Sequence, residues 1–221
     1  MDIAKYVSML KEKSLHFSQA HLLEDSFEGS LAFENKRLYL ERYNSNPSGV
    51  ASIKEMSSIN LKKYIYLNCW HLNKYESVAM WSLYGGQKGA IAIRSTYSKL
   101  FNVLPKDISL GMVDYIDYNT ELIPEEYIDS RFFCKRKSFS HEKEVRAVLI
   151  NIPNLDNPNS IRSVLDAPGI NINIDLKELI DSVYVSPKAP NWYKSLLNDL
   201  HYKYEFDFEI FQSALDDNII F

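Results

Sequence analysis

The chain has 221 residues, 46% of them hydrophobic and 24% charged, with only 7 Gly and 15 Tyr. That is enough apolar material for a sizeable core, and it excludes a disordered, low-complexity or membrane-embedded class. A formal net charge of -4 excludes a general attraction to nucleic acid, so the basic runs at 36–42 and 135–137 read as solvated helix faces, with local phosphate contact as the alternative.

Cys69 and Cys134 are the only cysteines, too few for a disulfide scaffold or a Cys-based zinc site. They point to a reducing, cytoplasmic compartment and read as small buried hydrophobes. No apolar run is long enough to cross a bilayer, so no membrane partner is expected.

In chain order, Ile3, Tyr6, Val7 and Leu10 recur at helical spacing, and a short strand follows at 15–18. The segment H-L-L-E-D-S-F-E-G, ending at Gly29, reads as a helical turn and loop whose Asp25 and Glu28 are solvated. Helices are predicted at 31–43 and 52–63, separated by the turn S-N-P-S-G at 45–49. The aromatic and β-branched run at 64–72 predicts a strand with His71 at its exit, where a lone His is more often structural than a ligand.

Asn73 and Glu76 have capping-box spacing, so 74–84 should be a helix with Met80, Trp81 and Tyr84 in the core. A strand at 90–94 ends in Ser95-Thr96, whose simplest role is to cap the helix at 97–103. The alternation at 111–118 reads as one strand, and a helix is expected from Pro124 to about Lys137.

The stretch K-R-K-S-F-S-H-E-K-E-V-R-A-V-L-I at 135–150 organises the chain. Val145, Ala147 and Leu149 alternate on one strand face, while Glu142, Glu144 and Arg146 share the other at its charged mouth. Two carboxylates and a guanidinium there suit either a structural ion-pair network or a catalytic cleft. A loop at 156–159, strands at 170–174 and 182–185, a short helix at 176–180, a helix at 192–200 capped by Asn191, and alternating aromatics at 205–211 complete a single α+β domain spanning 1–221. Its mixed, mainly antiparallel sheets should carry helices packed around them.

Phosphate-loop, dinucleotide-fingerprint and metal-ligand motifs are absent. The ordered blocks L-H-F-S, D-S-F-E-G, C-W-H-L, A-M-W-S-L-Y, G-A-I-A-I, the 135–147 block and V-Y-V-S-P resemble a bacterial and phage family of domains of unknown function over roughly 5–214. Members of that family are often found near defence or mobile-element genes.

Ser95-Thr96 after a strand and Glu142-Lys143-Glu144 opening a later one also resemble the ADP-ribosyltransferase fold, whose NAD cleft lies between two small split sheets. That resemblance implies NAD as co-substrate, no metal, and a protein or nucleic-acid acceptor. Glu144 would bond the nicotinamide ribose and stabilise the oxocarbenium-like charge, while Glu142 would orient or deprotonate the acceptor. Arg94, Ser95, Thr96, Arg146, His71, Trp81 and Tyr84 would bind the nucleotide. The early-strand Arg of that group is missing, leaving Arg94, Arg146 or His16 to supply a cation.

On this reading the acid pair faces an open, water-accessible hollow. Two other classes stay open. One is a metal-dependent nuclease using Asp114, Glu142 and Glu144 with Lys143 or Lys137; the other is a non-enzymatic nucleotide- or protein-binding module using Trp70, Trp81 and Tyr84.

Overall fold

The computed structural model describes residues 1–43, 59–85, 89–124, 126–153, 156–157, 162, 164 and 166–216. The turn expected at 45–49 and most of the helix expected at 52–63 lie outside them, although Ile59–Lys62 is helical. Helices and mainly antiparallel sheets alternate along the chain, making an α+β fold. Contacts divide it into two compact units, one of Met1–Leu15, Asn73–Pro105 and Asn171–Phe221, the other of His16–Leu72 and Lys106–Ile170.

Numbered in chain order, the strands are β1 (Ser14–Gln19), β2 (Ile65–His71), β3 (Ile91–Arg94), β4 (Ile108–Met112) and β5 (Asp114–Ile116). They continue with β6 (Cys134–Arg136), β7 (Glu144–Ile150), β8 (Gly169–Asn173), β9 (Ser182–Val185) and β10 (Glu209–Gln212). One sheet runs β4-β7-β2-β1-β8, a second β10-β9-β3, and β5 pairs with β6.

In the second unit, β7 lies between β2 and β4 and is antiparallel to both. Its side chains are buried on both faces as far as Leu149, as the run Val145 to Ile150 suggests. Directly paired residues of an antiparallel ladder share a face, so Cys69 with Arg146 and His71 with Glu144 stand on one side of the sheet, in line with Leu67 and Val148. Ala20, Ile65, Leu67, Phe132 and Val148 form an apolar cluster on that side, where each large buried side chain contributes roughly 1.5–3 kcal/mol.

The strand expected at 111–118 is two strands in two sheets. Val113 ends β4 by donating its N–H to the Glu144 carbonyl, and β5 then turns to pair in parallel with β6. The helix expected from Pro124 is instead a 3-10 turn, Ser130–Phe133, leading into β6 and a second 3-10 turn, Lys137–Glu142. Three-residue segments carry too little periodicity to be read as strands.

In the first unit, helix Ile3–Glu12 starts where the Asp2 carboxylate accepts from the Lys5 N–H, and it buries Tyr6, Met9 and Leu10. The Tyr6 hydroxyl meets Nε2 of His201 at 2.5 Å, on helix Trp192–Tyr204. That helix is longer than expected, and Asn191 makes no side-chain cap. The helix expected at 74–84 begins only at Val78. Ser77, not Asn73, caps it by accepting from the Met80 N–H, because the Glu76 carboxylate is taken by the Trp81 indole N–H. None of Val78–Tyr84 is buried, and Tyr84 is 60% exposed, so the expected core role of Met80, Trp81 and Tyr84 is not met.

Candidate functional site

Three blocks far apart in sequence converge in the second unit. The loop at 25–30 is shaped by the Asp25 carboxylate, which accepts from the Phe27 N–H, and by Gly29 at φ +68°. A Cβ at Gly29 would lie 2.3 Å from Cε1 of Phe132, so only glycine lets the loop approach that ring. This holds Glu28 at 3% exposure, facing β6 and β7.

The second block is β6. Lys135, expected on a solvated helix face, is 6% exposed. Its ammonium donates to Glu142, bonds Oε1 of Glu144 at 2.7 Å, and lies 3.3 Å from Oε1 of Glu28. The Phe139 ring lies under it, 4.7 Å to the centroid. Next to it, Arg136 pairs with the buried Asp25 at 2.9 Å between the rings of Phe27 and Phe139.

The third block is the mouth of β7. Lys143 takes a left-handed conformation at φ 42°, which places Glu142 in the preceding 3-10 turn and not on the strand. Glu142 and Glu144 nevertheless meet, bridged by the Lys135 ammonium. The backbone of Glu144 is held from both sides: its N–H donates to the Tyr115 hydroxyl and its carbonyl accepts from Val113.

Arg146, 1% exposed, donates from Nε to Oε2 of Glu144 at 2.6 Å and from Nη1 to the Phe132 carbonyl at 2.9 Å, while Nη2 lies 2.6 Å from Oε2 of Glu28. The side chains of Glu142 and Glu144 are each 8% exposed. The open hollow expected in front of them is therefore not what surrounds their side chains: each is covered and ion-paired.

Their electrostatics differ. Burial raises the proton affinity of Glu142, and the hydrogen bond shared with Glu144 raises it further, outweighing Lys135. Burial acts on Glu144 in the same sense, but hydrogen bonds with Glu142, Arg146 and Lys135 outweigh it and hold that carboxyl well below the usual range. Burial alone would lower the Lys135 ammonium, yet its bonds to Glu142 and Glu144 raise it.

Cys69, expected to be buried, has an exposed side chain. The protein packed around its other sides pushes the thiol up to about 12, and the neighbouring Glu144 adds to the shift, so it stays protonated and is no nucleophile at neutral pH. His71 donates from Nδ1 to the Glu142 carbonyl at 2.5 Å, which fixes the tautomer and leaves Nε2 buried without a partner.

Of the residues singled out from sequence, Glu142, Glu144, Arg146 and His71 are thus brought together. Arg94, Ser95, Thr96, Trp81 and Tyr84 belong to the other unit. There Thr96 caps helix Tyr97–Val103 by accepting from the Lys99 N–H, Ser95 donates to the Leu179 carbonyl at 2.6 Å, and Arg94 reaches the Tyr184 hydroxyl at 3.5 Å.

Sequence reasoning missed Asp25, Glu28, Lys135, Arg136 and Tyr115. The one available signal for the first two was the tight D-S-F-E-G loop, since a glycine-closed turn rich in acid is a poor candidate for a merely solvated segment.

Among the described residues no group of three or more His, Cys, Asp or Glu is arranged to hold a metal ion, and no helix is long and apolar enough to cross a membrane. No family model, curated protein or solved structure matches the chain.

Proposed function

We propose that the cluster at the mouth of β7 is the reaction centre of an ADP-ribosyltransferase-like enzyme that takes NAD or a related nucleotide as substrate. The observation that carries this reading is the pair Glu142 and Glu144, adjacent carboxyls whose proton affinities are driven in opposite directions. Such a split is how one site supplies both a proton-holding and a permanently ionised group. Two separate sheets, with a Glu-Lys-Glu leading into an inner strand of the larger, agree with the resemblance, which is a fold-level analogy.

In the reaction the bond between the nicotinamide nitrogen and ribose C1′ breaks, and its electron pair leaves with nicotinamide. The ionised Glu144 stabilises the cationic ribose, and Lys135 and Arg146 orient that carboxylate. An acceptor oxygen or nitrogen then bonds to C1′ and loses its proton to a base, the role assigned to Glu142.

A second reading is favoured by one observation: both glutamates are covered and paired with cations. On that reading the network holds the unit together and the protein is a non-enzymatic nucleotide- or protein-binding module. Incubation of the purified chain with labelled NAD separates the two. Release of nicotinamide, abolished in Glu144→Gln beyond any loss of folded protein, supports the enzyme. Ligand-induced stabilisation without turnover supports the binding module.

A further inference from the structure

Along β4, an end strand of the larger sheet, the second unit carries a hollow of about 360 Å³. Residues 109–112 of β4 line it together with Tyr127, Asp129, Ser130 and Phe133. That is room for one amino-acid side chain or a small ligand, at the lower end of the range of ligand sites.

The walls are held by local contacts. Gly111 lets the Phe133 ring lie against β4, since a Cβ there would be 3.1 Å from Cε1 of that ring. The rest of the wall is a tight turn. In it the Tyr127 N–H donates to the Ser130 hydroxyl at 3.3 Å, the Ser130 N–H to the Tyr127 carbonyl at 3.2 Å, and the Phe132 N–H to the Asp129 carbonyl at 2.8 Å.

Met112, Tyr127 and Phe133 make the lining apolar, and Asp129 is its one charged residue. Asp129 does not cap the 3-10 turn that it precedes, and among the described residues its carboxylate makes no ion pair or hydrogen bond. A wholly apolar guest would leave that carboxylate covered and unpaired, and an anion would be repelled. An organic cation meets both conditions: its charge pairs with Asp129 while its body lies on the two rings. We propose that the hollow receives a lysine or arginine side chain presented by a partner polypeptide.

Exposure decides between a partner chain and a free cation. Met112 is 65% and Tyr127 72% exposed, so a guest stays open to solvent on one side, whereas sites for free small ligands bury most of the guest. A presented side chain needs no such enclosure, because its backbone remains outside. A basic segment is also drawn toward a chain of net charge -4. The proposal is independent of the enzyme reading: it uses none of Glu28, Lys135, Glu142, Glu144 or Arg146, and its test needs no NAD.

The test is an NMR titration of the isotope-labelled full chain with N-acetyl-argininamide and N-acetyl-lysinamide, beside the neutral isostere N-acetyl-citrullinamide and the free cation tetramethylammonium. Saturable shifts at Gly111, Met112, Tyr127 and Asp129 are expected with the basic amides, weakening as salt is raised. They should be lost in Asp129→Asn, whose other resonances stay in place, and reduced in Tyr127→Ala, which removes an exposed ring. No saturable shift from either basic amide, equal shifts from the citrulline compound, or full-strength binding in either variant would overturn the proposal. Tetramethylammonium binding as tightly as the basic amides would overturn it too, assigning the hollow to free cations.

Discussion

Lys135 Nζ lies 2.7 Å from Glu144 Oε1, joining the three-residue strand β6 to the first residue of β7 beneath a covered surface. This ion pair ties the 25–30 loop, the 3-10 turn before β7 and β7 itself into one network, because the same ammonium also reaches Glu28 and Glu142. Buried ion pairs recover little net energy over apolar packing, but removing one partner is expensive.

Replacing Lys135 by Met takes a buried cation away from Glu28, Glu142 and Glu144 at once. A loss of about 3–5 kcal/mol of unfolding free energy is expected, the scale for breaking a buried pair. Urea denaturation of Lys135→Met beside Lys135→Arg checks it. The arginine variant keeps the charge and should retain more of the stability.

Stability should peak between two titrations of the glutamate pair. Glu144, with its folded-state pKa depressed below the ordinary 4.5, contributes stability present above that value and lost as pH falls beneath it. Glu142, with its folded-state pKa raised above 4.5, contributes stability fully present below 4.5 and lost as pH rises through its folded-state value. In Glu142→Gln the second loss disappears, which melting curves across pH measure directly.

His201 should act separately, in the other unit. Burial lowers its pKa beneath 6.5 and keeps the ring neutral against Tyr6 and Phe208. For a base with a depressed folded-state pKa, stability is present above 6.5 and lost as pH falls below it. Tyr6→Phe, which removes the hydroxyl bonded to Nε2, is expected to cost roughly 0.5–1.5 kcal/mol at neutral pH. A variant as stable as the parent in urea would contradict the bond.

Thr96→Ala distinguishes a cap from a nucleotide contact. Its hydroxyl accepts the Lys99 N–H, so about 0.5–2 kcal/mol of stability should go with it. If capping is its whole role, any nicotinamide release per folded molecule is unchanged.

Gly29→Ala should destabilise the fold, since the residue sits at φ +68° and its new methyl would meet the Phe132 ring. Loss of the Glu28 contacts would accompany it, and comparison with Glu28→Gln by denaturation shows how much of the effect passes through the network.

The strands with strong local patterning were legible. The run 64–72 and the alternation Val145, Ala147, Leu149 are built from residues that suit a pleated, buried surface, and they are β2 and β7. The meeting of Glu142, Glu144 and Arg146 was legible too, although the regular strand used to infer it is broken at Lys143.

What could not be read is what depends on partners distant in sequence. Asp25 is buried because Arg136, 111 residues away, pairs with it. Lys135 is buried because three acids surround it, while locally it belongs to a short basic run indistinguishable from a solvated face. Apolar spacing alone suggested a core position for Trp81, whereas its indole N–H is spent on Glu76 near the surface.

The account rests on Lys135 and Glu144 belonging to one interdependent cluster, and a double-mutant cycle of Lys135→Met with Glu144→Gln by urea denaturation tests that directly. The account predicts strong non-additivity, a coupling of about 1–3 kcal/mol, because either single change already removes the direct partner that the second change would take away. Two effects that sum to within about 0.5 kcal/mol would contradict it.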